Sequence, residues 1–160
     1  MEEKIFNHYE NGNAYYADDK YIEALKEFEK AVELDNNFLD AHFQIANCYI
    51  RLEKYDDAIK KFNYVLSIDS NDEDVYFNLG VVYFILEDYN QAITHFSAAL
   101  DLNKEQQIYY YNRGVCYAKL ELYQKAINDF KKSLDIDENF QEAKFSLDLA
   151  KQKLDESSTL

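Results

Sequence analysis

Three histidines, two cysteines and an excess of carboxylates are the residues of this chain that could do chemistry. Histidine and cysteine could ligate a metal or form a nucleophile–base pair, and two carboxylates could serve as general acid and base. The spacing supports none of these. His8, His42 and His95 are dispersed, and His8 and His42 stand one interval of 34 residues apart, which marks them as packing residues. Cys48 and Cys116 have no zinc-ligand spacing around them. They occupy apolar positions and are expected to be reduced, buried fillers of small core gaps. The Asp and Glu pairs fall at helix ends and on outer faces, and there is no glycine-rich phosphate loop. Neither catalysis, nor a cofactor, nor a metal is expected.

What the chain does carry is a period. Tyr15, Tyr49, Tyr83 and Tyr117 recur every 34 residues. Tyr21, Tyr55, Tyr89 and Tyr123 keep the same interval, as do Ala24, Ala58, Ala92 and Ala126, and Phe28, Phe62, Phe96 and Phe130. The three glycines, Gly12, Gly80 and Gly114, share one phase, and Ala46 fills the remaining slot. A period of this length marks a solenoid of stacked units. Within a unit, Ala58, Phe62 and Val65 fall at i, i+4 and i+7, one face of an α-helix, and Ala92, Phe96 and Ala99 repeat that stripe. The small residues let two helix backbones approach. One hairpin cannot bury its apolar face alone, so neighbours must stack.

This pattern resembles the tetratricopeptide repeat, a helix-turn-helix unit of about 34 residues. The resemblance implies an all-α, right-handed superhelical solenoid of antiparallel helix pairs. Repeats are expected at about 5–38, 39–72, 73–106 and 107–140, in a single domain over 1–155. In Gln141–Asp155, Ala143, Leu147, Ala150 and Leu154 form one stripe, which predicts a terminal capping helix, with 156–160 as a frayed tail. The family usually places proline after the second helix, and this chain has none. Asn36, Ser70, Lys104 and Glu138 stand there instead. Looser turns are therefore expected, with Asn37, Asn71, Asn103 and Asn139 helping to end or start helices. Asn11 and Arg113 replace an expected apolar residue, and Asn11 is expected to face solvent.

The 17 Lys and Arg against 31 Asp and Glu leave a formal charge of −14. That disfavours a nucleic-acid partner or an anionic membrane surface, both of which need a basic track. No apolar stretch approaches a membrane span, and the first residues lack a signal peptide's layout, so a cytoplasmic location is expected. No Lys or Arg stands between Lys61 and Lys104, whereas Asp69, Asp72, Glu73, Asp74, Glu87, Asp88 and Asp101 do. Asp72, Glu73 and Asp74 open a helix, where negative charge is favourable. The remainder is either a solubility device or a patch for a basic partner.

In the family, the first helices line a concave groove that holds a peptide or a helix. The resemblance therefore implies a protein or peptide partner. Tyr9, Phe43, Phe77 and Tyr111 share one phase and are expected to form an aromatic ladder there, or to pack on the next helix. The first two repeats add Asn13, Tyr16, Asp40, Gln44, Asn47 and Arg51, hydrogen-bonding groups suited to a peptide backbone. The third and fourth add Val81, Phe84, Ile85, Ile108 and Val115, with Asp74, the amides of Asn78 and Asn112, and Lys119 at the far end. In the run Val81–Leu86, Val82, Tyr83 and Leu86 suffice for the core. The excess apolar residues Val81, Phe84 and Ile85 predict an interaction surface. An apolar or aromatic side chain is expected to anchor near Phe84, Ile85 and Tyr111, with the adjacent peptide bonds held by Asn78 and Asn112.

Other roles are weighed on the same residues. One subclass of the family grips a C-terminal carboxylate with Lys, Asn and Arg. Here Tyr9, Asp74 and Asn78 stand where its cations belong, and starting one repeat later gives Phe43, Asn47, Asn78, Ile108 and Asn112, without a cation. A holdase for a secreted or aggregation-prone client is the leading alternative, and a self-assembling scaffold is another. Ser158-Thr159-Leu160 fits the loose pattern of a C-terminal ligand that adds a strand to a PDZ domain.

Overall fold

A computed structural model describes residues 1–158. The Thr159-Leu160 part of the C-terminal ligand pattern lies outside the described residues. Among the described residues the chain forms nine α-helices and no strand: α1 (Glu2–Ala17), α2 (Tyr21–Leu34), α3 (Leu39–Arg51), α4 (Tyr55–Ile68), α5 (Glu73–Ile85), α6 (Tyr89–Leu102), α7 (Gln107–Lys119), α8 (Tyr123–Ile136) and α9 (Gln141–Ser158). The chain divides into two compact units. Met1–Ser70 holds α1 to α4, and the second unit begins at Asn71 and holds α5 to α9. α9 runs past Asp155, through the start of the segment expected to fray.

Each hairpin is built on one contact between its two helices. A Cβ added to Gly12 would sit 2.5 Å from a ring carbon of Phe28, one on Gly80 would sit 2.5 Å from Phe96, and one on Gly114 2.8 Å from Phe130. The phenyl ring of the second helix therefore lies in a notch that the first helix leaves open. Phe28, Phe62, Phe96 and Phe130 are all buried. Each contributes about 1.5–3 kcal/mol by burial alone. The alanines one turn earlier, Ala24, Ala58, Ala92 and Ala126, are buried with them.

The turns are tied rather than loose. Between the helices of every hairpin one residue adopts left-handed backbone: Asp19, Glu53, Glu87 and Glu121, each with φ near 60°. None is glycine, so each carries a cost of about 1–2 kcal/mol. The amide that follows donates back to a tyrosine carbonyl, as in Lys20 to Tyr15 at 2.9 Å and Asp88 to Tyr83 at 2.9 Å. Between hairpins a side chain closes the turn where proline is missing. Asp35 accepts from the Asn37 amide at 3.0 Å, Asn103 from Glu105 at 3.0 Å, and Asp137 from Asn139 at 2.9 Å. Asp72 and Asp88 cap α5 and α6 by accepting from the amides of Val75 and Gln91.

Polar groups inside each unit are matched to their slots. In the first, His42 is buried, packs at a tilt against Tyr64 with ring centroids 4.5 Å apart, and donates from Nε2 to the Asn36 carbonyl at 2.9 Å. Its Nδ1 is buried with no partner, and burial holds the imidazole below its ordinary pKa. In the second unit, His95 lies parallel to Tyr83 at 5.2 Å, and burial lowers its pKa too. Cys48 and Cys116 are free, buried thiols, each pushed up to about 12 by burial. Asn11 is exposed.

Arg113, out of place by the repeat pattern, is held by a partner on the second helix of its own hairpin. Its Nε and Nη2 donate to the two carboxylate oxygens of Asp129 at 2.7 and 2.8 Å, and Nη1 donates to Ser97 at 3.0 Å. The side chains are 20% and 8% exposed, so this pair is largely desolvated. Burial pulls the guanidinium pKa down, and Asp129 more than offsets it. In the preceding repeat the same two slots hold Leu79 and His95.

Three outcomes are expected. Gly80→Ala lowers stability by about 1–3 kcal/mol in urea unfolding, because Phe96 must leave its notch. Arg113→Leu costs about 3–5 kcal/mol by stranding Asp129. Adding Asp129→His restores most of that loss, since the pair then matches Leu79 and His95. His42 is depressed in the folded state, so its contribution is full above about pH 6.5 and is lost as pH falls through the folded value. Between about pH 7 and pH 5 the wild type should lose more stability than His42→Tyr, which installs the residue Tyr76 holds at that slot.

Candidate functional site

The first helix of a hairpin turns one face to its own second helix and leaves another outward. In the first unit, the ladder residues do not stand free. Tyr9 lies 5.7 Å from Phe28 and 5.0 Å from Phe38 between ring centroids, and Phe43 lies 5.6 Å from Phe62. Both are half-buried and serve mainly as packing. Asn13 is half-buried and Asp40 is exposed. Tyr16 packs edge-on against Tyr21 at 5.2 Å. Asn47 donates to Gln44 at 3.2 Å. Arg51 donates twice to the Tyr21 hydroxyl, at 2.9 and 2.6 Å, and lies over that ring. Its charge is already engaged within the unit.

The second unit repeats this with a more apolar face. Phe77 packs on Phe96 and Tyr109, and Tyr111 on Phe130 and Phe140. Val81 and Phe84 are half-buried against the cluster of Ala92, Phe96 and Cys116, so part of the expected apolar excess is covered internally. Ile108 packs beside Ala99, Leu100 and Tyr109. Ile85 stays 42% exposed. The Asn78 and Asn112 amides donate to the carbonyls of Asp74 and Ile108 in their own helices, at 2.7 and 2.8 Å. That fixes their rotamers and leaves each side chain its oxygen and one N–H to meet a peptide bond. Asp74 is exposed, and the Tyr109 hydroxyl lies between it and Glu73.

A concavity of about 300 Å³ opens where α7, α8 and α9 meet. Val115, Ala118, Phe130, Leu149 and Ala150 make it apolar, and Tyr123, Ser146, Lys119 and Lys153 complete its wall. Of these, only Val115 and Lys119 belong to the face expected from the sequence. The others were signalled by the period. Leu149 follows Val115 by 34 residues, Lys153 follows Lys119, and Phe145 follows Tyr111. α9 is thus a fifth first helix as well as a cap. Phe145 is 73% exposed, having no second helix to lie on. At the glycine slot α9 carries Asp148.

Among the described residues no three His, Cys, Asp or Glu side chains converge to hold a metal ion. Nor is any helix among them long and apolar enough to cross a membrane.

Known proteins share this arrangement. Residues 73–106 and 108–140 match the model of the tetratricopeptide repeat. Residues 16–77 match that of regulator of microtubule dynamics protein 1-3. No curated protein matches the chain. A crystal structure of MamA protein is 23% identical, over 96% of this chain and 84% of that one, with a TM-score of 0.86. YrrB, described as a tetratricopeptide protein with an unusual peptide-binding site, is 23% identical over 89% of this chain and 74% of its own, with a TM-score of 0.75. The first tetratricopeptide module of Spaghetti (RPAP3), bound to HSP90 peptide SRMEEVD, is 25% identical over 72% of this chain and 92% of its own, with a TM-score of 0.70. At these identities the likeness is one of fold. With the matched repeats, the recurring hairpins and the shared fold together, the chain is a tetratricopeptide repeat protein.

Proposed function

We propose that this protein is a non-catalytic interaction module, an adaptor or scaffold subunit that binds a peptide or helix on the first-helix face of its second unit. The observation that carries this reading is the apolar concavity beside Val115, in whose wall Lys119 stands one period after exposed Ile85. Aliphatic groups there offer burial to a partner's side chain, at about 25 cal/mol for each Å² removed from water. The fixed oxygens of Asn78 and Asn112 offer acceptors for its backbone. The peptide-binding site of YrrB and the peptide bound to the Spaghetti module support a peptide partner by analogy of fold alone. A holdase and a self-assembling scaffold would use the same face.

Val81 and Phe84 are poor positions for a test, because aspartate there would also disturb the core they pack on. Ile85→Asp is the cleaner variant. Peptides selected by display on the immobilised wild-type chain should bind it in fluorescence anisotropy. Binding to Ile85→Asp should weaken by about tenfold or more, with an unchanged circular dichroism spectrum. Failure to select any peptide, or equal binding by the two proteins, refutes the reading.

A further inference from the structure

We infer that the concavity between α7 and α9 selects an acidic partner, a peptide segment that places a large apolar side chain beside Asp or Glu. The inference rests on the interaction reading above and names the chemistry of the ligand.

The chain is acidic throughout its first part, yet from Gln107 onward it holds eight Lys and Arg against nine Asp and Glu, of 17 and 31 in all. Two of those cations line the apolar cleft. Lys119, the last residue of α7, is exposed and forms no ion pair among the described residues. Lys153 lies at the equivalent position of α9, one period later. Its ammonium pairs only within its own helix, with Glu156 at 2.8 Å. Both members of that pair are about half exposed, and such surface pairs exchange readily for another carboxylate.

Next comes shape. A concavity of about 300 Å³ is at the lower end of ligand-site volumes and suits one or two side chains rather than a folded surface. Phe130 and Ala150 are buried beneath it, while Leu149 is 45% exposed. An apolar side chain seated there would bring flanking carboxylates to the two ammonium groups. A basic peptide would meet them with like charge and face an acidic protein only beyond the cleft. Lys119 closes α7, where positive charge is also favoured by the helix dipole, and both cations line the cleft rather than the amide positions Asn78 and Asn112.

The test uses the whole chain and three fluorescein-labelled probes in anisotropy: a short peptide of Glu, Leu and Phe, its counterpart with Lys for Glu, and its counterpart with Ser for Leu and Phe. Only the first should bind, and more weakly as salt rises. Lys119→Glu with Lys153→Glu should weaken it by about tenfold or more, and Lys119→Gln with Lys153→Gln by less. Circular dichroism reports whether each variant folds. Unchanged affinity in the charge-reversed protein overturns the inference. If the Lys peptide binds equally and Leu149→Asp abolishes both, the cleft takes peptides without regard to charge. The inference then fails and the interaction reading stands. If none of the three probes binds, the inference fails, and the display selection decides the broader reading. If sedimentation shows a dimer that the charge reversal dissolves, the occupant is a second copy of this chain, which also overturns it.

Discussion

A phenyl ring lying against a missing side chain holds three of the four hairpins together, and Ala46 stands in that slot in the other. Gly12, Gly80 and Gly114 present bare backbone where Phe28, Phe96 and Phe130 must lie, and only the absence of a Cβ lets the two helices come that close. The cost in helix propensity, about 1 kcal/mol per glycine, is offset by burial of the ring. Everything else in the unit follows from that approach. It sets which residues of the first helix turn inward, which meet the next hairpin, and which remain for a partner.

The second unit shows how far a slot can change while this contact stays constant. Arg113 and Asp129 replace Leu79 and His95, and the tyrosines around them, Tyr110 and Tyr117, sit one period after Tyr76 and Tyr83. In one hairpin these rings flank a guanidinium at 5.8 and 5.9 Å, and in the other they flank an imidazole at 6.3 and 5.2 Å. An aromatic cage accepts either cation-like or neutral planar groups. The phase is thus conserved in geometry where it departs in chemistry.

The hairpins, their notches and the small residues were legible in the sequence because each recurs four times in register, and coincidence at one position is corrected by the other three. The turns were less so. Their closure depends on whether Asp35, Asn103 and Asp137 rotate onto a backbone amide, which composition alone does not reveal. The ladder of Tyr9, Phe43, Phe77 and Tyr111 was visible as a phase, but its half-burial depends on neighbours whose own phases are not aromatic throughout: Phe38 and Phe140 share one that holds Asp72 and Gln106 between them, and Tyr109 follows Ala41 and Val75. Val81 and Phe84 were ambiguous for the same reason. The cleft is hidden in the sequence because α9 reads as a cap. Its apolar stripe, Ala143, Leu147 and Ala150, is what a cap requires, and it hides the second pattern formed by Phe145, Leu149 and Lys153.

That second pattern breaks at one residue. α9 follows the first-helix phase at the ladder, the apolar wall and the lysine, yet it carries Asp148 where the others carry glycine or alanine. A helix laid on α9 as α8 lies on α7 would press an aromatic ring onto a carboxylate and strip it of water. Asp148 pairs with Lys151 at 3.5 Å on the surface, and burying that carboxylate costs several kcal/mol. At α9 the register of the second unit is therefore refused by charge, while the groove side stays open. A single aspartate makes one face of the same helix a terminus and leaves the other a threshold.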